Sequence, residues 1–216
     1  MKALVTAGPT YEPLDEVRRL TNFSTGKLGS ELANFLTTQG HDVILLVGYY
    51  AIHRGELKAR KVETFTTTAD LRARLEALSK QGVGAVFHAA AVSDFTFGGV
   101  WERGETGELI ECAERKISTR KGPLLAELKP TPKIINELRG WFPQAQLVGW
   151  KYELHGDRAR VIDAARQQMD KNRTNACVVN GAAYGEGFGL VTGAGQCEHL
   201  PAASALYQAL ARLIKS

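Results

Sequence analysis

Lys2-Ala3-Leu4-Val5-Thr6-Ala7 runs into Gly8-Pro9, and past a polar loop comes Lys27-Leu28-Gly29-Ser30-Glu31-Leu32-Ala33-Asn34-Phe35-Leu36-Thr37-Thr38-Gln39. The first piece is a short β-prone run closed by a turn. In the second, Leu28, Leu32, Phe35 and Leu36 recur at three- and four-residue spacing, and Gly40 stands where a helix C-cap would. Asp42 to Val47 then reads as a buried strand. The order strand, loop, helix, strand sets the rhythm of the chain. Val62 to Thr66 is a further strand, and Thr67-Thr68-Ala69-Asp70 is a capping-box pattern opening a helix that carries Leu71, Leu75 and Leu78. Ala85 to Ala90 is the next strand. After Pro130 and Pro132 the pattern predicts a helix to about Trp141, a strand over Gln146 to Tyr152, a helix over Asp157 to Lys171 and a strand over Ala176 to Asn180. A hairpin around Gly193-Ala194-Gly195 and a last helix from about Ala202 close the chain.

Strands alternating with helices of this length pair in parallel through right-handed crossovers. The predicted fold class is therefore α/β: a doubly wound, mostly parallel, Rossmann-like sheet. The stretch from about 95 to 130 interrupts the rhythm, being rich in Gly, Glu, Lys and Arg with short pieces at Glu108 to Cys112 and Leu124 to Leu128. It reads as an antiparallel flap. Neither a repeat nor a linker divides the chain, so a single domain over residues 1–216 is expected.

Composition narrows the function. Hydrophobic residues at 44% and charged residues at 23% place the chain among ordinary globular proteins and exclude a disordered or fibrous one. The longest apolar runs, Val43 to Val47 and Ala89 to Val92, fall far short of the ~20 residues of a membrane span. No signal-peptide pattern opens the sequence, and Cys112, Cys177 and Cys197 are too few and too scattered for a disulfide framework. A cytoplasmic location is expected. The net charge of +4 comes without the basic blocks and interleaved aromatics of a nucleic-acid groove. Neither a nucleic-acid nor a membrane partner is expected; small phosphorylated ligands suit the charge, as does an ordinary solvated surface.

Sheets of this class bind ligands at the carboxyl ends of their strands. That points to Gly8 to Lys27, Ala89 to Phe95 and Gly149 to Glu153. The first loop lacks both the Walker pattern, since Thr21 and Leu28 stand where Gly and Ser or Thr are needed, and the three spaced glycines of the dinucleotide fingerprint. Ser24-Thr25-Gly26-Lys27 opens a helix, whose free N–H groups and dipole hold an anion or whose side chains simply cap it. Arg18 and Asn22 lie four apart, a guanidinium that forks onto a phosphate or carboxylate and an amide that holds an oxyanion; either also fastens loops. His88, inside an apolar strand, reads as a core histidine rather than a base. No protein metal site is indicated, because His41, His53, His155 and His199 share no ligand spacing.

Taken together, Gly8-Pro9-Thr10, Glu12-Pro13, Asp15-x-Val17-Arg18 and Thr21-Asn22-x-Ser24-Thr25-Gly26-Lys27-x-Gly29 resemble the opening of the phosphopantothenoylcysteine synthetase family. The resemblance continues in order through Ala89-Ala90-Ala91-Val92-Ser93-Asp94-Phe95, Lys116-Ile117-Ser118, Leu128-Lys129-Pro130-Thr131-Pro132-Lys133-Ile134-Ile135, Val148-Gly149-Trp150-Lys151, Lys171-Asn172 and Val179-Asn180. It covers nearly the whole chain and is similar to the stand-alone form, without a flavin-binding decarboxylase domain. The resemblance implies a ligase of coenzyme A biosynthesis. In it 4′-phosphopantothenate is activated by a nucleotide triphosphate, CTP before ATP, as an acyl-nucleotide, and cysteine then attacks the acyl carbon. It further implies Mg²⁺ riding on the phosphates, no flavin, and a homodimer with Leu109-Ile110 and Leu124-Leu125 at a flap edge.

Two anions must meet in such a reaction, so lysines must screen the carboxylate, the α-phosphate and the departing pyrophosphate. Lys116 is the first candidate, with Lys133 and Lys171 as further phosphate partners. Asn22 matches the position that steadies the acyl intermediate and Arg18 joins it on the substrate. Nucleotide contacts are expected from Gly8, Ser24, Thr25, Gly26, Lys27, Ala89, Ala90, Asp94, Pro132, Lys133, Ile134, Ile135 and Trp150, the last either stacking on the base or buried in the core. Ser118-Thr119-Arg120-Lys121 replaces a lysine-richer run, Gln167 replaces a second helix lysine, and Val100 to Glu114 lengthens the flap. These departures bear on nucleotide preference more than on reaction class. A short-chain reductase is the competing enzyme reading, but no tyrosine is followed four residues later by lysine and no acidic residue follows Gly48-Tyr49-Tyr50. A non-catalytic nucleotide-sensing module is the third.

Overall fold

The computed structural model describes residues 1–112, 117, 122–193 and 196–214. Its central sheet begins with β1 (Lys2–Ala7), whose neighbours are β4 (Asp42–Gly48) and β6 (Ala85–His88), all parallel. Between β1 and β4 come a small hairpin, β2 (Tyr11–Pro13) with β3 (Arg19–Thr21), and the helix α1 (Lys27–Thr38). β5 (Lys61–Phe65) extends the sheet beside β4, and α2 (Thr68–Leu78) returns the chain to β6. On the other side of β6 stand β10 (Gln146–Tyr152) and β11 (Ala176–Asn180), joined by α4 (Arg158–Asn172). β12 (Phe188–Thr192) and β13 (Cys197–Leu200) add antiparallel, and α5 (Ala203–Arg212) closes the chain. The order is β13-β12-β11-β10-β6-β1-β4-β5. The predicted doubly wound, mostly parallel sheet is what forms.

The central strands are apolar on both faces because helices cover both. Ala3, Val5 and Ala7 of β1 join the core beneath α1 and α5, whereas Leu4 joins the one beneath α2 and the turn of helix α3 (Leu138–Trp141). Leu4, Leu45 and Phe87 are fully buried, each contributing about 1.5–3 kcal/mol of transfer free energy. A third cluster packs Val161, Ala165 and Met169 of α4 on Cys177, Val179 and Val191. The two halves of the sheet run outward from β1 and β6, so the crevice at their carboxyl ends is the switch point where such folds take ligands.

The expected flap is a separate three-stranded antiparallel sheet, β8 (Leu109–Glu111), β7 (Phe95–Arg103) and β9 (Leu124–Pro130), with β7 central. Three details differ from the reading of the sequence. The loop after β1 holds the hairpin β2-β3. β6 ends at His88 rather than Ala90. The predicted helix after Pro132 is a 3-10 turn, Ile134–Asn136, followed by the single turn α3. Gly140 lowers helix propensity there and Pro143 stops it. Among the described residues no helix is long and apolar enough to cross a membrane.

Candidate functional site

Ala91, three residues past β6, is the pivot of the carboxyl edge. Its N–H donates to Gly8 O at 3.0 Å, and its carbonyl accepts the Thr10 N–H at 3.1 Å and Asn22 Nδ2 at 3.2 Å. The predicted Asn22 therefore stands over the crevice between β1 and β6. Beside it α1 begins at Gly26, a left-handed N-cap with no side-chain cap bond and no acid in the first turn. A Cβ at Gly26 or at Gly8, both at positive φ, would stand 2.9 or 2.8 Å from Ala51 Cβ, so glycine alone lets the helix start settle on the strand end. Thr25 Oγ1 accepts the Lys27 N–H at 3.2 Å, and the Lys27 side chain is exposed. The predicted Gly8 and Ser24 to Lys27 thus share one patch with an open helix terminus.

Across Ala91 lies a cleft of about 130 Å³ lined by His88, Ala90, Val92, Ser93, Asp94, Lys133, Ile134, Ile135, Trp150 and Gln168. Six of the predicted nucleotide residues meet there: Ala90, Asp94, Lys133, Ile134, Ile135 and Trp150. Lys133 Nζ pairs with Asp94 Oδ1 across the mouth, both side chains exposed. Pro132 precedes this wall and Ala89 leads into it, its N–H bonded to Phe87 O at 3.2 Å. Trp150 shares its side of the sheet with Val148 and packs against the α1–α5 core, so it offers the cleft its backbone, where Trp150 O lies 3.4 Å from Gln168 Nε2. Its indole Nε1, Ser93 Oγ and Asn180 Oδ1 are buried polar atoms with no hydrogen-bond partner among the described residues. Asn172 Oδ1 and Thr174 Oγ1, at the far end of α4, share that state, so these atoms do not by themselves mark the ligand edge.

The remaining predicted residues are placed elsewhere or lie outside view. Arg18 forks onto Asp15 (Nε to Oδ2 3.0 Å) and donates to Ile117 O at 2.7 Å, while Asp15 Oδ2 accepts the Ile117 N–H at 3.2 Å. Both backbone groups of Ile117 are thereby tied to the turn between β2 and β3. The Arg18 guanidinium and the turn's own N–H groups hold the Asp15 carboxyl far below the usual carboxylate range. Lys116, the expected flap lysine, lies outside the described residues, as do Ser118 to Lys121. Lys171 is exposed in the last turn of α4, beyond Gln168 toward the amino edge of the sheet, and does not line the cleft.

Motif residues to which the sequence reading gave no role turn out to be the clamps. Thr10, fully buried, accepts the Ser93 N–H at 2.8 Å and meets Thr68 Oγ1 at 3.3 Å; Glu12 Oε1 accepts the Thr68 N–H at 2.9 Å. Thr131 donates its hydroxyl to Ser93 O and its N–H to Asp94 O at 2.9 Å. Arg72 of α2 donates to Glu137 Oε1 at 2.8 Å, fixing the turn that carries Ile134 and Ile135. The signal was the density of Thr and Glu in these motifs, which a phosphate-centred reading passes over. A second, wider cavity of about 500 Å³ lies between the β2-β3 turn and the flap, from Leu14 and Asp15 to Gly98, Cys112 and Ile117.

Comparison with known proteins agrees with this fold. The profile of the DNA/pantothenate metabolism flavoprotein C-terminal domain matches residues 1–199. The coenzyme A biosynthesis bifunctional protein CoaBC of Thermococcus kodakarensis is 32% identical over 179 residues, 83% of this chain and 41% of that protein. This chain thus spans well under half of that relative's length. The phosphopantothenate–cysteine ligase of Homo sapiens is 28% identical over 232 residues, 82% of this chain and 71% of that one. A solved structure titled a DNA/pantothenate metabolism flavoprotein from Streptococcus pneumoniae superposes at a TM-score of 0.86 with 26% identity, covering 100% of this chain and 98% of that chain. With its strand order, its crevice and this match over nearly its whole length, the chain belongs to the DNA/pantothenate metabolism flavoprotein C-terminal domain family.

Proposed function

We propose that this chain is a phosphopantothenate–cysteine ligase acting through an acyl-nucleotide intermediate, with the triphosphate bound at the carboxyl edge of the sheet. The observation that carries it is the convergence around Ala91 of Asn22, the open α1 terminus and the cleft of Ala90, Asp94 and Lys133 to Ile135, in a member of a family whose relatives include proteins named for this ligation. Apolar walls with a few convergent polar groups suit a nucleoside, and free N–H groups at a helix start suit its phosphates or the substrate's. Asn22 offers a neutral donor to the acyl oxygen, which holds charge without locking the product in an ion pair. Lys116 and Lys133 neutralise phosphate charge, Lys133 by turning from Asp94; Arg18 serves the substrate side through the turn it braces.

Among the described residues no three His, Cys, Asp or Glu side chains converge on a metal position. Asp94, the cleft's single carboxylate, fits a Mg²⁺ that keeps its other ligands on phosphate and water. Such an ion screens charge on the triphosphate. The edge strand β8, with Leu109 and Ile110 each 53% exposed, supports the homodimer reading.

Asn22→Asp tests the assignment. A carboxylate beside an anionic intermediate at ~4 Å costs up to ~4 kcal/mol at an effective dielectric near 20. Pyrophosphate exchange into the triphosphate and amide formation should fall together, while triphosphate binding by calorimetry weakens far less. Intact exchange and intact product formation would remove Asn22 from the mechanism.

A further inference from the structure

His88 ends β6, is 7% exposed and has no part in the chemistry above. Its neighbour in the parallel register is Thr6, whose Oγ1 lies 2.9 Å from His88 Nδ1 and also accepts the Ala90 N–H at 3.1 Å. Thr6 is fully buried. Were Nδ1 to carry the ring proton and donate to Thr6, the threonine's own proton would have no acceptor. The satisfied arrangement is Thr6 O–H donating to Nδ1, with the imidazole proton on Nε2. Burial pushes the His88 pKa down to about 4, so the ring is neutral near pH 7.

Nε2 has no partner among the described hydrogen bonds, and the ring lines the cleft together with Val92, Ile134, Ile135 and Gln168. On the adjacent strand the pairing ends with Val148 beside Phe87, and the next residue is Gly149, where a Cβ would stand 2.8 Å from Gln168 Nε2 and 2.9 Å from Ile135 Cδ1. That glycine lets both side chains close over the strand beside His88. The inner cleft is thus mostly apolar, its polar groups, the His88 Nε2–H, the Ser93 hydroxyl and the Gln168 amide, are neutral, and the lining cation, Lys133, is paired with Asp94 at the mouth. A polyanion finds little there; a flat heterocycle with a ring-nitrogen or carbonyl acceptor fits.

We propose that His88 is a specificity-determining residue that reads the nucleobase, Nε2–H donating to an acceptor on the base edge, with Thr6 fixing the tautomer. This rests on the reading of the cleft as a nucleotide site. A base that presents an amino group at that point meets N–H against N–H and is rejected.

The test uses the whole chain with ¹⁵N-labelled histidine, in two-bond ¹H–¹⁵N spectra at pH 7, alone and then saturated with CTP or with ATP, without phosphopantothenate so that nothing turns over. The free chain should show His88 as the Nε2–H form, and Nε2 should shift with the triphosphate that supports product formation. His88→Phe, if its melting curve stays cooperative, should bind that triphosphate about tenfold more weakly and narrow the CTP/ATP affinity ratio, the loss of one hydrogen bond. An Nδ1–H tautomer overturns the proposal, as does an Nε2 unmoved by a triphosphate that binds and reacts, or an unchanged affinity ratio in folded His88→Phe; the nucleotide-site reading then survives. If neither triphosphate binds the wild-type chain, both fall. Should His88→Phe not fold, the wild-type spectra decide.

Discussion

Around the cleft, Thr6, Thr10, Ser93 and Thr131 are each at most 8% exposed and each bonded across elements, whereas on the flap Leu109, Ile110 and Leu128 are 49–53% exposed. The cleft is held by many short ties in a dry setting. The flap meets the body through its stem at Phe95 and Pro130, through β7 lying beside β2 with Val100 and Ile117 buried, and through the Asp15–Arg18–Ile117 contact. A group in the first region is held by buried ties on several sides; a group on the outer strands of the second stands nearer solvent. On the proposed function, recognition belongs to the cleft and charge handling to the flap, and variants in the two regions should separate accordingly.

The largest separation is expected from Lys116→Gln. Loss of one charged donor to the transferring phosphate typically costs about 10²–10³ in rate. The melting temperature should stay at the wild-type value. A variant within threefold of wild type in kcat returns Lys116 to the solvated surface.

On the cleft side the reverse pattern is expected. His88 titrates near 6.5 when unfolded and at about 4 when folded, so the unfolded chain binds more protons between those values and stability falls as pH drops through that window. The full loss is about 3 kcal/mol, complete below the folded value. The charged groups facing the ring's cleft are Asp94 and Lys133 at its mouth. Denaturant midpoints measured from pH 7 to 4 should show the slope in wild type and a shallower one in His88→Phe. Parallel slopes would mean that His88 is not neutral and buried.

Thr10→Val is a smaller cleft perturbation. It leaves the Ser93 amide without its acceptor in a buried place, for about 1–3 kcal/mol of stability. Chemical denaturation reads it directly, and an unchanged midpoint would show that the clamp is not structural.

Asp15→Asn on the flap side is the smallest. The carboxylate is buried, 1% exposed, while the guanidinium is about a third exposed, and Asn keeps an acceptor for the turn amides, so only the charge is lost and global stability should fall modestly. Hydrogen exchange at the Ile117 amide should nevertheless quicken. Because Arg18 and the turn amides hold the carboxyl far below its ordinary range, the contact is present above about pH 4 and is lost as pH falls through the lower folded value. Exchange at Ile117 equal in wild type and variant would sever the tie from the flap.

The layout of the sheet was legible because its signals are local. Apolar periodicity and turn residues mark β1, α1, β4, β10, α4 and β11 almost to the residue. The hairpin β2-β3 was not, since each strand has three residues and its anchors, Thr10 and Glu12, find their partner Thr68 across 56 or more positions. The rule that ligands sit at strand carboxyl ends pointed to Ala89 to Phe95 and so to Ala90 and Asp94, whereas Lys133 to Ile135, which follow a flap strand, came in through the family resemblance alone. Arg18 looked like a ligand residue because a guanidinium forks onto any carboxylate, and Asp15, three residues away, supplies one. Lys171 was harder to place, for spacing along α4 does not say which turn reaches the cleft. Trp150 was decidable in principle: alternation along β10 puts it on the side of Val148, toward the α1–α5 core.

Ligation through an acyl-nucleotide leaves its mark in the product stoichiometry. Purified chain is mixed with 4′-phosphopantothenate, cysteine, Mg²⁺ and CTP or ATP, and phosphopantothenoylcysteine, pyrophosphate and orthophosphate are followed together. One pyrophosphate and one nucleoside monophosphate are expected for each amide formed; product accompanied by orthophosphate and a nucleoside diphosphate would mean activation as an acyl-phosphate instead.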